Sequence, residues 1–273
     1  MAARQSIELT VSASPGLENM AAPVREIEPA LLAASLSRAG LALPSRVEIA
    51  LIGSGDPRAR GVPDWVVARA FGTDTIVIYA QRVPSYPYDS FESVVRHEIV
   101  HLALNARAGG RPLPRWFHEG VAVSVESAWG LGSQARLLLA SARDPGLDDV
   151  AMLFAADAAP ETTTAYLLSA ALIEDVRRRH GLVIPGAIAG RVAQGAAFEV
   201  AFRVETGESL DQAAAHAWRV YRGLRWLPIA TGGAGLWGWI LVLAVIAFAV
   251  RLRRRRQKRW DDDEEGGPVE SGR

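Results

Sequence analysis

Cysteine is absent from the 273-residue chain. This absence excludes disulfide bonds, zinc sites built on thiolates and catalysis by a cysteine nucleophile. An excess of positive charge is also absent, since 30 basic residues stand against 30 acidic ones. The chain therefore lacks the broad basic surface that marks nucleic-acid binding, and no nucleic-acid partner is predicted. Apolar residues make up 49% of the chain, which indicates a folded domain with a sizeable core.

A secretory signal peptide is not recognisable in residues 1–30, because this segment contains no continuous apolar run. Ile7, Leu9 and Val11 instead alternate with other residues, which is typical of a β-strand. The beginning of the sequence therefore favours a strand of the folded domain and not a targeting segment.

One long apolar run lies near the other end, where residues 229–250 carry no charge. A helix over this run would be roughly 33 Å long at about 1.5 Å per residue, which is enough to cross a bilayer. Trp226 precedes the run and Arg251 follows it, as suits anchoring at the two interfaces. We therefore predict a transmembrane helix within residues 226–250, in preference to a buried core helix.

The charges on the two sides of this run are unequal. Seven basic residues lie within residues 251–259, whereas only Arg219, Arg222 and Arg225 lie close on the other side. The positive-inside rule then places the basic and then acidic tail, residues 251–273, in the cytoplasm and the larger domain outside it. We also predict that the basic run contacts anionic lipid headgroups.

This orientation requires a signal sequence, which residues 1–30 do not supply. Either a signal sequence was trimmed or the start site was misassigned, or the protein is tail-anchored with its domain in the cytoplasm. The unequal charge favours the first explanation, so we predict a single-pass membrane protein with an extracytoplasmic domain.

Residues 1–225 are predicted to form one domain of the α+β class. Apolar and β-branched residues favour strands at 6–12, 47–52 and 75–79, and helical spacing favours a helix at 24–39. From residue 90 onward the domain is predicted to be helical. The domain would then consist of a small N-terminal mixed sheet and a mostly helical C-terminal part.

The sequence His-Glu-Ile-Val-His occupies positions 97–101. Residues four apart share a helix face, so His97 and His101 can both bind one zinc ion, while Glu98 lies one step round from His97. Zinc on neutral imidazoles lowers the pKa of water to about 7, and a nearby carboxylate can then take the proton. We predict these histidines as ligands of one zinc ion, with two surface histidines on an ordinary helix as the alternative.

The helix that carries this motif is predicted to run from about residue 90 to about residue 108. Asp89 is expected to cap its N-terminus, with Glu92 completing a capping box. Gly109 and Gly110 are expected to end it.

Catalytic zinc needs a third protein ligand. The metzincin pattern is excluded, because Leu104 and Arg107 occupy the positions of its glycine and histidine. Glu119 is the candidate, since Pro114 suits the first turn of a second helix that can fold back over the first. His118 is one helical step, about 100°, from Glu119, so both side chains cannot easily face the same ion.

The motif and the segment Leu-Pro-Arg-Trp-Phe-His-Glu-Gly-Val-Ala at 113–122 together resemble the MA-like gluzincin metallopeptidases. In that family, HExxH is followed by Pro-x-Trp-x-x-Glu-Gly-x-Ala. The resemblance covers about residues 40–225 and is strongest at 94–124. It implies a zincin-like domain in which Glu119 is the third zinc ligand. The chain departs from the family at His118, where a small residue is commoner, and His118 is left either to line the site or to be exposed.

The same resemblance makes Glu98 the catalytic base and Tyr166 a further catalytic candidate. Related enzymes hold the developing oxyanion with a tyrosine hydroxyl from a later helix; the alternative for Tyr166 is simple packing. Asn105 either hydrogen-bonds near the metal or faces solvent. The strand at 75–79 is expected to be the edge strand along which an extended peptide substrate binds.

These predictions combine into a membrane-anchored zinc metallopeptidase that hydrolyses peptide bonds with a metal-activated water. The alternative is a catalytically latent domain that binds peptides or partner proteins at the membrane. A purely structural zinc site is disfavoured, because three protein ligands leave one coordination position open. Sites of two histidines and a glutamate also accept other divalent ions, so the sequence does not fix the metal.

Overall fold

The structure is a computed structural model that describes residues 7–83, 90–126, 145–156 and 159–223. The chain divides into two units, Met1–Arg222 and Gly223–Arg273, and the description below concerns the first. Within the described residues, none of the helices is both long and apolar enough to cross a membrane. The predicted transmembrane helix at 226–250 and the tail at 251–273 lie outside that part of the chain.

A four-stranded mixed sheet forms the N-terminal layer. Its strands are β1 (Glu8–Ala13), β2 (Arg46–Ile52), β3 (Ala68–Phe71) and β4 (Thr75–Tyr79). The order across the sheet is β1-β2-β4-β3, with β1, β2 and β4 parallel and β3 antiparallel to β4. The three predicted strands are confirmed, and so is the α+β class of the domain.

The prediction that residues 75–79 form an edge strand is wrong. β4 lies between β2 and β3, because the chain turns back at Gly72 and pairs the short β3 with it. The residues of β4 from Ile76 to Tyr79 are all buried, as suits an interior strand. The edge strand on this side of the sheet is β3, which the sequence did not predict.

The described helices follow the chain from the N-terminal layer into the C-terminal part. They are α1 (Ala22–Arg25), α2 (Pro29–Arg38), α3 (Phe91–Arg107), α4 (Arg115–Glu126), α5 (Leu147–Ala155), α6 (Ala159–His180), α7 (Ile184–Ala193), α8 (Phe198–Thr206) and α9 (Leu210–Gly223).

The prediction of one helix at 24–39 is wrong, because the segment forms α1 and α2 with a break between them. Pro29 is the cause, since a proline disfavours helical backbone at the preceding residue. Glu28 accordingly has an extended conformation, with φ −78° and ψ 114°, and becomes the N-cap of α2.

The N-cap of helix α3 lies one residue later than predicted. Ser90, and not Asp89, is its N-cap: the Ser90 hydroxyl accepts from the Ser93 N–H at 3.2 Å, and the Ser93 hydroxyl accepts from the Ser90 N–H at 3.2 Å. The capping box therefore forms between two serines. Glu92 instead pairs with Arg96 one turn further along the helix. The predicted end is confirmed, since Gly109 and Gly110 follow the helix with positive φ.

Helix α3 is the centre of the domain, and its apolar face belongs to the main hydrophobic core. The helix packs on β3 and β4 on one side and against α4 on the other. This packing holds the His-Glu-Ile-Val-His segment between the sheet and the C-terminal helices. Large fully buried side chains on α3 include Ile99, Leu102 and Leu104.

Helices α4 and α6 touch through their backbones at Gly120. A Cβ atom on Gly120 would lie 2.5 Å from the carbonyl oxygen of Ser169 and 2.7 Å from Cγ1 of Ile173. Both distances are well below the contact distance of about 3.5–4.0 Å between non-bonded heavy atoms. Glycine at position 120 therefore sets how closely α4, which carries Glu119, can approach α6.

We expect Gly120→Ala to lower the free energy of unfolding by about 1–2 kcal/mol. Overpacking against backbone costs about 1–3 kcal/mol, which exceeds the gain of about 0.5–1 kcal/mol from alanine in a helix. Urea unfolding followed by circular dichroism measures the change. Gly55→Ala is the control, because a Cβ at Gly55 meets no atom within 4 Å. Equal stability of the two variants would contradict the close contact.

Candidate metal centre

Helix α3 presents His97 and His101 on one face, as the spacing of four residues predicts. Their ring centroids are 4.8 Å apart, with the ring planes at 81° to each other. His97 is fully buried, whereas the His101 side chain retains 13% of its exposure. The two imidazoles therefore lie at the inner end of a site that is accessible from the His101 side.

Glu119 of α4 reaches both histidines with the same carboxylate oxygen. Its Oε2 lies 3.3 Å from Nε2 of His97 and 3.4 Å from Nε2 of His101. Ligand atoms about 2.0–2.1 Å from a tetrahedral zinc ion would be separated by about 3.3–3.4 Å. The distances from the carboxylate oxygen to the two imidazole nitrogens thus match the separation of ligand atoms around a tetrahedral zinc ion. The fold brings together the three residues that the sequence predicts as ligands.

The Glu119 carboxylate is held in its charged form. Burial opposes this charge, but the attraction of His101 and hydrogen bonds from His101 and His97 outweigh burial and keep the pKa of Glu119 well below its ordinary value. A carboxylate that stays ionised is the form that binds a divalent cation.

Glu98 lies beside the three predicted ligands and is almost fully buried, with 3% of its surface exposed. Its carboxylate and one nitrogen each of His97 and His101 lie within 4.8 Å of one another. Burial raises the pKa of Glu98, and the nearby charge of Glu119 adds to this, while the two histidines oppose it. A carboxyl group with a raised pKa is suited to accept a proton and release it again near neutral pH.

Tyr166 of α6 belongs to the same site. Its ring centroid lies 6.3 Å from that of His97 and 5.6 Å from that of Phe154. Burial and the charge of the neighbouring Glu119 carboxylate raise the pKa of Tyr166 well above its ordinary value. The hydroxyl is therefore a neutral hydrogen-bond donor at the metal centre, and its ring also packs against a neighbouring aromatic side chain.

His118 lies beside the site without facing its centre. Its Nδ1 is 3.4 Å from Nδ1 of His101, whereas Nε2 of His101 faces Glu119. His118 is half-buried, and burial together with the neighbouring His101 lowers the pKa of His118 to about 4. The ring is consequently neutral near pH 7 and lies behind His101.

The side-chain hydrogen bond of Asn105 is made to a residue outside the predicted ligand set. Its side-chain amide donates a hydrogen bond to the carbonyl of Gly72 at 2.9 Å. Gly72 has a positive φ of 59° in the turn between β3 and β4. Asn105 therefore ties this turn to α3, one turn of helix beyond His101.

Two further residues at the site were not predicted from the sequence. The Arg115 side chain is 46% exposed, with Nε 3.8 Å from Oε1 of Glu119 and Nη1 donating to the carbonyl of Phe154 at 3.2 Å. Its spacing of four residues from Glu119 on a helix is a signal that could have indicated the contact. The backbone N–H of Ala70 on β3 lies near the Glu98 carboxylate and acts to lower its pKa, and no side-chain pattern in the sequence predicts such a backbone contact.

The Ala70 contact shows which way the free edge of β3 faces. The N–H of Tyr79 bonds to the carbonyl of Val67, so alternate residues from Val67 onward pair with β4. Ala68 and Ala70 then direct their backbone groups away from the sheet. Since Ala70 reaches Glu98, this free edge borders the candidate metal centre.

No match was found when the chain was compared with models of protein families, with curated proteins and with solved structures. The resemblance to gluzincin metallopeptidases therefore depends on the residues of the two motifs and on their geometry.

Proposed function

We propose that the chain is a zinc-dependent metallopeptidase of the gluzincin type that hydrolyses peptide bonds. The observation that carries this proposal is the position of Glu119 Oε2, 3.3 and 3.4 Å from the Nε2 atoms of His97 and His101. An ordinary pair of surface histidines would not share a carboxylate from the next helix whose side chain is only 13% exposed. The zincin-like fold and the membrane anchor at 226–250 are parts of the same proposal.

Each residue of the site would have a separate role in the reaction. When bound, zinc would supply Lewis acidity and lower the pKa of a water molecule to about 7. Glu98 takes the proton of the attacking water and passes it to the leaving amine, for which its raised pKa is suited. The Tyr166 hydroxyl donates a hydrogen bond to the oxyanion, provided that it turns from Glu119 toward the substrate.

An extended peptide would add to the sheet along the free edge of β3. The backbone groups of Ala68 and Ala70 lack partners in β4, and this edge borders Glu98. Main-chain pairing of this kind would place the scissile bond beside the catalytic base. This edge takes the role that the sequence assigned to residues 75–79.

We expect Ala68→Pro to raise KM for peptide substrates by up to about tenfold, because one hydrogen bond contributes about 0.5–1.5 kcal/mol. Proline removes the outward N–H of residue 68 without breaking a bond to β4, as suits an edge position. Steady-state kinetics on a peptide measure the change. Ala68→Gly keeps the N–H and is the control, so an equal rise in KM for both variants would contradict strand addition.

The experiment that tests the function measures zinc content and peptide cleavage on the same preparation. The full chain should contain one zinc ion, cleave a peptide library, lose cleavage when a chelator removes the ion and regain it when zinc is returned. One zinc ion without cleavage would favour the latent binding domain instead. Absence of a bound divalent metal from a folded chain would refute the proposal.

A further inference from the structure

Both ring nitrogens of His101 contact neighbouring side chains. Nε2 lies 3.4 Å from the carboxylate of Glu119, and Nδ1 lies 3.4 Å from Nδ1 of His118. The rings of His101 and His118 have centroids 5.4 Å apart and planes tilted by 49°. His118 therefore faces the side of the His101 ring that is turned away from the proposed zinc ion.

Two Nδ1 atoms at this distance can form a hydrogen bond only if one ring donates and the other accepts. A neutral imidazole carries one proton, and a metal can bind only the nitrogen without it. If His118 accepts at Nδ1, the proton of His101 stays on Nδ1, and its Nε2 can exchange the contact with Glu119 for a bond to the metal. The opposite arrangement would protonate Nε2 of His101 and block the metal.

We propose that His118 is a positioning residue, which accepts the Nδ1–H of His101 and so fixes the ring orientation and the tautomer that bind the metal through Nε2. The inference rests on the proposed zinc site and adds to it a residue whose place in the site the sequence left open. Direct metal binding by His118 is disfavoured, because the Nδ1 contact places this ring on the far side of His101 from Glu119.

The test measures the Zn²⁺ dissociation constant of the full chain by competition with a chelator, without reference to activity. His118→Phe fills a similar volume without an acceptor and should raise the dissociation constant by about 10–100-fold, as loss of a hydrogen bond to a ligating histidine does. His118→Asn places an oxygen near the position of Nδ1 and should recover most of the affinity.

The control is His180→Phe. His180 is another partly buried histidine, which lies at the end of α6 and contacts Glu208. This variant should bind Zn²⁺ as the parent chain does. Thermal unfolding of each metal-free variant checks that the fold is kept. His118→Leu, which also lacks an acceptor, provides the test if the phenylalanine variant does not fold.

Proton NMR of the zinc-bound chain gives a second readout. With Nε2 on the metal, the Nδ1–H of His101 should give a hydrogen-bonded resonance that is protected from exchange with water in the parent chain and in His118→Asn, and should lose this protection in His118→Phe. An unchanged resonance and an unchanged dissociation constant in His118→Phe would overturn the proposal. Loss of one nitrogen from the metal shell, seen by X-ray absorption, would also overturn it by making His118 a ligand.

Failure of the proposed function would be distinguishable from failure of this inference. A parent chain that binds no Zn²⁺ would refute the metallopeptidase. A parent chain that binds Zn²⁺ while His118→Phe binds it equally well would overturn only the role of His118.

Discussion

Glu98→Gln is expected to lower kcat for peptide hydrolysis by about 10²–10⁴-fold, the range that general acid–base catalysis contributes. Glutamine has almost the same shape but cannot accept the proton of the attacking water. Zinc content should be unchanged, because the predicted ligands are His97, His101 and Glu119. Rate measurements on a peptide, together with metal analysis of the same sample, test both parts of this expectation.

The same substitution should not weaken the fold. Glu98 is buried, and burial raises its pKa, so the folded chain disfavours its charged form. Removing that charge should leave the metal-free chain at least as stable as the parent. Glu92→Gln is the matched control on the same helix, since Glu92 is half-exposed and pairs with Arg96. Retained turnover in Glu98→Gln would refute the role assigned to Glu98.

Glu119→Gln is expected to raise the Zn²⁺ dissociation constant by more than about 100-fold, because even indirect partners of a ligand contribute about 10–100-fold. Glutamine keeps an oxygen for the Tyr166 hydroxyl but removes the negative charge that His97 and His101 stabilise. The measurement is chelator competition with the full chain. Activity at limiting zinc should fall in parallel.

Two comparisons make the Glu119 result interpretable. Glu92→Gln again removes one carboxylate and should leave the affinity for Zn²⁺ unchanged. Excess zinc should restore part of the activity of Glu119→Gln if the residue acts by holding the metal. An unchanged dissociation constant would remove Glu119 from the ligand set and leave Glu98 as the carboxylate within 4.8 Å of nitrogens of both histidines.

The sequence predicted the centre of this site because its signals are local. His97 and His101 are separated by one helical turn, and Glu119 follows in a helix that Pro114 introduces. Such residues meet wherever two consecutive helices fold against each other. The geometry agrees with this expectation at the level of individual atoms.

The sequence could not predict features that depend on backbone pairing across the fold. β3 has four residues in which charged Arg69 stands between alanines, so no strand pattern is visible, and the strand is recognised only from its pairing with β4. The orientation of His118 is also tertiary, because it depends on how α4 crosses α3. The interruption of the helix at 24–39 was predictable, because Pro29 disfavours helical backbone at the residue before it.

The direct contact of α4 with α6 at Gly120 also limits how the site can move. Glu119 precedes Gly120 on one helix, and Tyr166 lies one turn before Ser169 on the other. Because backbone lies against backbone at this contact, sliding of one helix past the other is sterically opposed. We therefore expect the Glu119 carboxylate and the Tyr166 phenol to keep their relative position.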